Sequence, residues 1–110
     1  MNRVTFIHCL LLLLLASATN SQASEKPIKP AALINKYGFD SWNLERSGCR
    51  PLSRNSIRRF KRCVAQGSRS TAAGRHVQYR CQTRDKTEIL IYQSRRVCHK
   101  QHQAMYVEGS

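Results

Sequence analysis

The period of the apolar positions changes along this chain, and each change marks a different kind of element. Residues 6–15 are almost wholly apolar and show no period; Arg3 precedes them and small residues follow. That is the n-, h- and c-region order of a secretory signal peptide. Counted from Val4 to Ala16 the stretch holds 13 residues, short of the roughly 20 that a membrane-spanning helix needs. Ser21-Gln22-Ala23 places small residues at the two positions that matter for cleavage after Ala23, with Ala16-Ser17-Ala18 as the alternative. The expectation is a signal peptide over 1–23 and a secreted, extracellular chain that starts at Ser24.

Prolines at 27 and 30 disfavour helix at the residues before them and predict an extended N-terminal arm over 24–30, a tether more than a part of the core. Leu33, Ile34 and Tyr37 then recur at helical spacing up to Gly38. Phe39, Trp42 and Leu44, with Asp40 as N-cap, predict a second short helical turn. The clearest helical signal covers 53–66. Ser53 stands at its start, Gly67 stands at the left-handed position after its end, and Ile57, Phe60 and Val64 form an apolar stripe. Residues 67–74 are rich in Ser, Ala and Gly and read as a flexible loop.

The period then drops to two. Val77, Tyr79, Cys81 and Thr83 alternate with His76, Gln78, Arg80 and Gln82, the pattern of a half-buried strand. Arg84-Asp85-Lys86 reads as a hairpin turn, and residues 87–93, with Ile89, Leu90, Ile91 and Tyr92, read as a second strand. A third extended stretch is expected around 104–107. The expected fold class is α+β: a small disulfide-stapled domain over 31–110, with an amphipathic helix packed on an antiparallel β-hairpin or three-stranded sheet.

Removal of the leader leaves 87 residues, a size at which the apolar core is thin and covalent reinforcement is expected. Of five cysteines, Cys9 departs with the leader and Cys49, Cys63, Cys81 and Cys98 remain. An even number in an oxidising compartment implies two disulfides. Four cysteines allow three pairings and the sequence does not choose among them. Laying the helix on the hairpin favours Cys63 with Cys81, which leaves Cys49 with Cys98.

Charge narrows the partner. The leader takes one of 19 basic residues and none of the 6 acidic ones, so net charge falls only from +13 to +12. Such a density sets up a positive potential that attracts polyanions whatever the fold. Export argues against nucleic acid and for anionic polysaccharide or an anionic membrane surface. Ile57-Arg58-Arg59-Phe60-Lys61-Arg62 resembles the basic clusters of heparin-binding segments, and Arg95, Arg96 and Lys100 beside Cys98 are expected to extend the patch. Arginine, at 12 against 6 lysines after residue 23, makes bidentate bonds to sulfate and phosphate that lysine does not match. The competing reading of the cluster is a solvated helix face.

Other chemistries have less support. Arg59-Phe60-Lys61-Arg62 is the kind of polybasic site that secretory-pathway proteases cut, which would free a peptide starting at Cys63. A cationic helix, Trp42 and four tyrosines are ingredients of antimicrobial membrane binding, but the Cys-Xaa-Xaa-Xaa-Cys and Cys-Xaa-Cys spacings of helix-and-sheet defensins are absent. His99 and His102, even with His76 or Glu108, lack the companions of a metal motif, so no metal and no cofactor is expected. The acids are scattered, the Cys-Lys-Xaa-Xaa-Asn-Thr-Phe signature of pancreatic-type ribonucleases is missing, and no positioned nucleophile stands out, so no catalytic residue and no enzymatic activity are expected.

The functional expectation is therefore a secreted cationic protein, monomeric, that binds glycosaminoglycan, bacterial envelope or anionic lipid as a host-defence or glandular-fluid effector. The alternative is a secreted signalling ligand or reproductive-fluid factor. It would act through a protein receptor, around Trp42 and Tyr37, and would be processed at the polybasic site.

Overall fold

A long hairpin made by β4 (Phe60–Thr71) and β5 (Gly74–Thr83) is the centre of the computed structural model, which describes residues 25–71 and 73–109. The expected signal peptide over 1–23 lies outside the described residues. Around the hairpin the chain adds β1 (Lys26–Ile28), one 3-10 turn (Pro30–Leu33), β2 (Tyr37–Asp40), β3 (Arg50–Pro51), α1 (Arg54–Ile57), β6 (Glu88–Tyr92) and α2 (Arg95–Gly109). The strands form one six-stranded antiparallel sheet in the order β1-β4-β5-β6-β2-β3. Sheet dominates the fold, and an α+β description holds only in the coarse sense that two helices accompany it.

The expected helix over 53–66 is the main correction. Ser53 does cap a helix, accepting from Ser56 N while Ser56 Oγ accepts from Ser53 N, but α1 stops at Ile57. Continuing it would stack Arg58 over Lys61 and Arg62, and Arg59 over Arg62, like-charge pairs that each destabilise a helix by about 0.2–0.5 kcal/mol. As a strand the same segment turns alternate side chains to opposite faces and pairs on both sides, with β1 and with β5. Tertiary pairing therefore overrides the helical spacing of Ile57, Phe60 and Val64.

Gly67 does take a left-handed conformation, φ 71°. It serves a shift in strand register between Ala65 and Ser68 and not a helix end; such bulges favour glycine because it carries no Cβ. The expected loop over 67–74 is accordingly largely strand: β4 runs to Thr71, and β5 begins at Gly74, which stands opposite it. Within the stretch expected to be a tether, Lys26–Ile28 is an edge strand of the sheet, with Lys26 opposite Ala65 and Ile28 opposite Cys63. Pro27 is tolerated there because an edge strand has one unpaired side.

Three further expectations change. The turn at Pro30–Leu33 is helical, but Tyr37–Asp40 is strand, and Asp40 accepts from Trp42 N through Oδ1 (2.9 Å) in a side-chain turn and not a helix cap. Residues 104–107 are not extended; they belong to α2, whose start is capped by Ser94 Oγ accepting from Val97 N (3.2 Å). The alternation through β5 and the apolar run of β6 do form neighbouring strands, joined at Arg84-Asp85-Lys86, where Thr83 and Thr87 close the turn with Oγ1 atoms 2.7 Å apart.

Each face of the sheet carries a core. On one side Leu33, Leu52, Phe60, Cys63, Cys81 and Ile91 pack together; on the other Phe39, Leu90, Tyr92 and Cys98 pack beneath α2. One disulfide belongs to each. Cys63–Cys81 joins directly opposed residues of β4 and β5, with Cα atoms 4.1 Å apart, the close spacing of a non-hydrogen-bonded antiparallel pair. Cys49–Cys98 ties α2 to the segment before β3. These are the two pairs that the sequence favours, although Cys63 reaches Cys81 from a strand and not from a helix flank. Two disulfides fit a chain that matures in an oxidising compartment. Among the described residues no helix is long and apolar enough to cross a membrane.

Candidate anion-binding site

The cations singled out in the sequence fall into two separate places. Arg58 and Arg59 are exposed in the link between α1 and β4, and Lys61 and Arg62 are exposed at the start of β4. They form no helical ridge. Arg62 stands opposite Gln82, which in turn stands opposite Glu88, so it shares the row at the beginning of β6. Arg95, Arg96 and Lys100 follow Tyr92 at the other end of β6, on α2. The expected extension of the first patch by the second is therefore not built, because the length of β6 separates them.

Their environments differ too. Arg59 approaches Asp85 at 3.7 Å with both side chains largely exposed, a geometry that contributes little to stability. The Arg95 guanidinium lies over the Tyr37 ring, 5.4 Å from its centroid.

Beside Arg62 the open sheet face forms a groove of about 490 Å³, within the range of about 300–1,000 Å³ common for small-molecule sites. Val64, Arg80 and Gln82 line it from the central hairpin, and Lys86 lines it from the turn before β6. Trp42 stands at its margin with 68% of its surface exposed. The loop that carries this indole is fastened to the start of β6: Ser41 N donates to Glu88 O (2.9 Å), and Ser41 Oγ lies 3.1 Å from Glu88 Oε1.

Inside the groove Arg80 is already engaged. Its Nη2 donates to Glu25 Oε1 at 2.9 Å, and its Nε lies 4.0 Å from Glu88 Oε2. Arg62 and Lys86 have no carboxylate within 4 Å among the described residues. A carboxylate of the chain itself thus occupies one cationic position while two stay open. No family model, no curated protein and no solved structure matches this chain.

Trp42 is visible in the sequence as an aromatic residue, but nothing there joins it to Arg62, Arg80 and Lys86. The register between β4, β5 and β6 brings these positions together across the sheet.

The histidines are dispersed. His102 Nε2 donates to Leu44 O (2.9 Å) and its ring meets Phe39 edge-on at 5.0 Å, so it is half-buried and structural, whereas His99 is exposed. Among the described residues no three His, Cys, Asp or Glu side chains gather in a metal-binding arrangement.

Proposed function

We propose that this is a non-enzymatic, secreted cationic protein that binds anionic polymers and surfaces outside the cell, such as glycosaminoglycan, bacterial envelope or anionic lipid, in a host-defence or glandular-fluid setting. One observation carries the reading. Of the 18 lysines and arginines after residue 24, only Arg59 and Arg80 have a carboxylate within 4 Å among the described residues. Uncompensated cations on a small sheet attract polyanions at long range and release them as salt screens the field.

The test compares retention of the oxidised protein on immobilised heparin with retention on a plain sulfonate exchanger of equal charge density. Late elution from heparin, with affinity that falls steeply as salt rises, supports the reading. No retention on heparin, together with saturable cell binding that survives high salt, overturns it in favour of a receptor ligand.

A further inference from the structure

We propose that the groove beside Trp42 is a subsite for an acidic saccharide, specifically a sulfated, uronate-containing glycan segment. The inference rests on the polyanion-binding reading above and adds the site and the ligand class.

The lining fits a sugar better than a bare anion. A sulfated sugar presents three kinds of surface: an apolar ring face, hydroxyl groups that both donate and accept, and fixed negative charges. Trp42 offers an exposed indole face for the first, an amphipathic surface suited to a half-wet site. Gln82, Thr87 and Glu88 supply both donors and acceptors for the second. Arg62 and Lys86, free of carboxylate partners among the described residues, meet the third. A free phosphate has no apolar face to set against the indole; a membrane surface does, and the vesicle measurement separates it from the saccharide.

Glu25 shows what Arg80 selects. Its carboxylate takes one charge-assisted bond from Arg80 Nη2 and one from Gln66 Nε2 (3.2 Å), which is the hydrogen-bonding demand of a uronate carboxylate. Glu25 precedes edge strand β1 and pairs with nothing in the sheet register. A ligand carboxylate that displaces it inherits the same two donors. Glu25 is thus an internal competitor for the site.

The chain has one tryptophan, so its fluorescence reports directly on the groove. The experiment titrates the full secreted chain, disulfides intact, with a size-defined heparin tetrasaccharide, following Trp42 emission and, separately, heat of binding. The expected result is a saturable emission change that inorganic sulfate at equal ionic strength does not produce. Arg62→Gln and Lys86→Gln should each weaken tetrasaccharide binding about tenfold, the scale of one charge-assisted bond lost. Arg50→Gln, on edge strand β3 and outside the groove lining, should change it little. Glu25→Gln should tighten binding several-fold more than Glu108→Gln, which removes the same charge outside the groove.

Calorimetric binding that leaves Trp42 emission unmoved, with equal losses for Arg62→Gln, Lys86→Gln and Arg50→Gln, overturns the groove while leaving the polyanion reading intact. Absence of binding to both the tetrasaccharide and a heparin column overturns the two together. An emission change with phosphatidylglycerol vesicles and none with tetrasaccharide overturns the saccharide assignment in favour of a membrane surface.

Discussion

The hydroxyl of Tyr92 donates to Gln78 Oε1 at 2.9 Å across neighbouring strands, where both side chains are buried. The chain of bonds continues outward. Gln78 Nε2 donates to Gln66 Oε1, Gln66 Nε2 donates to Glu25 Oε1, and Arg80 holds the same oxygen. A buried phenol is thereby linked through two glutamines to the groove.

Replacing Tyr92 by Phe strips Gln78 of its donor inside the fold and should destabilise the protein by about 1–3 kcal/mol. The pH dependence separates this loss from simple repacking. Burial pushes the Tyr92 phenol well above its ordinary value, with Arg69 opposing and Glu88 adding a smaller push. The unfolded chain ionises its phenol at about pH 10 while the folded one retains the proton, so the unfolded state binds fewer protons above that pH. Stability from this group is full below about pH 10 and declines above it. Denaturant midpoints measured between pH 8 and 11 should fall more steeply for the natural chain than for Tyr92→Phe; parallel curves would count against a buried, neutral phenol.

Gly38 tests how closely β2 lies on β6. A Cβ added there would meet Ile91 Cγ1 at 3.0 Å, Leu90 O at 3.1 Å and Ile89 Cγ2 at 3.2 Å. The nearest backbone atom cannot move without disturbing the ladder. Gly38→Ala should cost about 1–3 kcal/mol, the scale of overpacking, even though alanine ordinarily suits a strand no worse than glycine. A thermal midpoint unchanged by the substitution would mean that the two strands have room to part.

How legible this fold is depends on where each signal is stored. The alternation from Val77 to Thr83 and the run at Ile89–Tyr92 are local, and both are strands. β4 is misread because Ile57, Phe60 and Val64 fall by coincidence at helical steps, while its true partners, Ile28 and Cys81, are distant in the chain. α2 is hidden for another reason. Its inward positions include Cys98, Gln101 and His102 beside Val97 and Met105, so polar residues dilute the apolar stripe. The cysteine pairing is favoured for a partly mistaken reason: a bridge from 63 to 81 satisfies both a helix on a hairpin and a hairpin alone. The groove has no local signature at all, being assembled from β1 and the residue before it, β4, β5, the turn before β6, the first residue of β6 and the Trp42 loop.

The two disulfides should differ in their effect. The bridge between 63 and 81 closes a sequence separation of 18, and the bridge between 49 and 98 one of 49. Loop-closure entropy gives about 3 kcal/mol for the shorter and about 4 kcal/mol for the longer. The longer one also anchors α2, whose other holds on the sheet include Phe39 against His102. Paired serine replacement at 49 and 98 should lower the denaturant midpoint further than at 63 and 81, and should reduce the helical circular-dichroism signal. Equal losses, with helix content preserved, would show that packing alone secures α2.

Processing at Arg59-Phe60-Lys61-Arg62 meets two obstacles in this fold. Phe60 and Cys63 are buried, and β4 is hydrogen-bonded to β5 along this segment and to β1 from Cys63 onward, so a protease must first pull the central strand out of the sheet. The second obstacle remains even after a cut. A break between Arg62 and Cys63 leaves Cys49 on one fragment and Cys98 on the other, still joined by their disulfide. Incubation of the native protein with a dibasic-specific secretory protease should therefore leave it largely uncut at Arg62, while prior reduction and unfolding should expose the site. Any nicked product should run as one species on a non-reducing gel and as two after reduction. Release of a free peptide beginning at Cys63 without reductant would contradict the Cys49–Cys98 pairing and revive the processed-ligand reading.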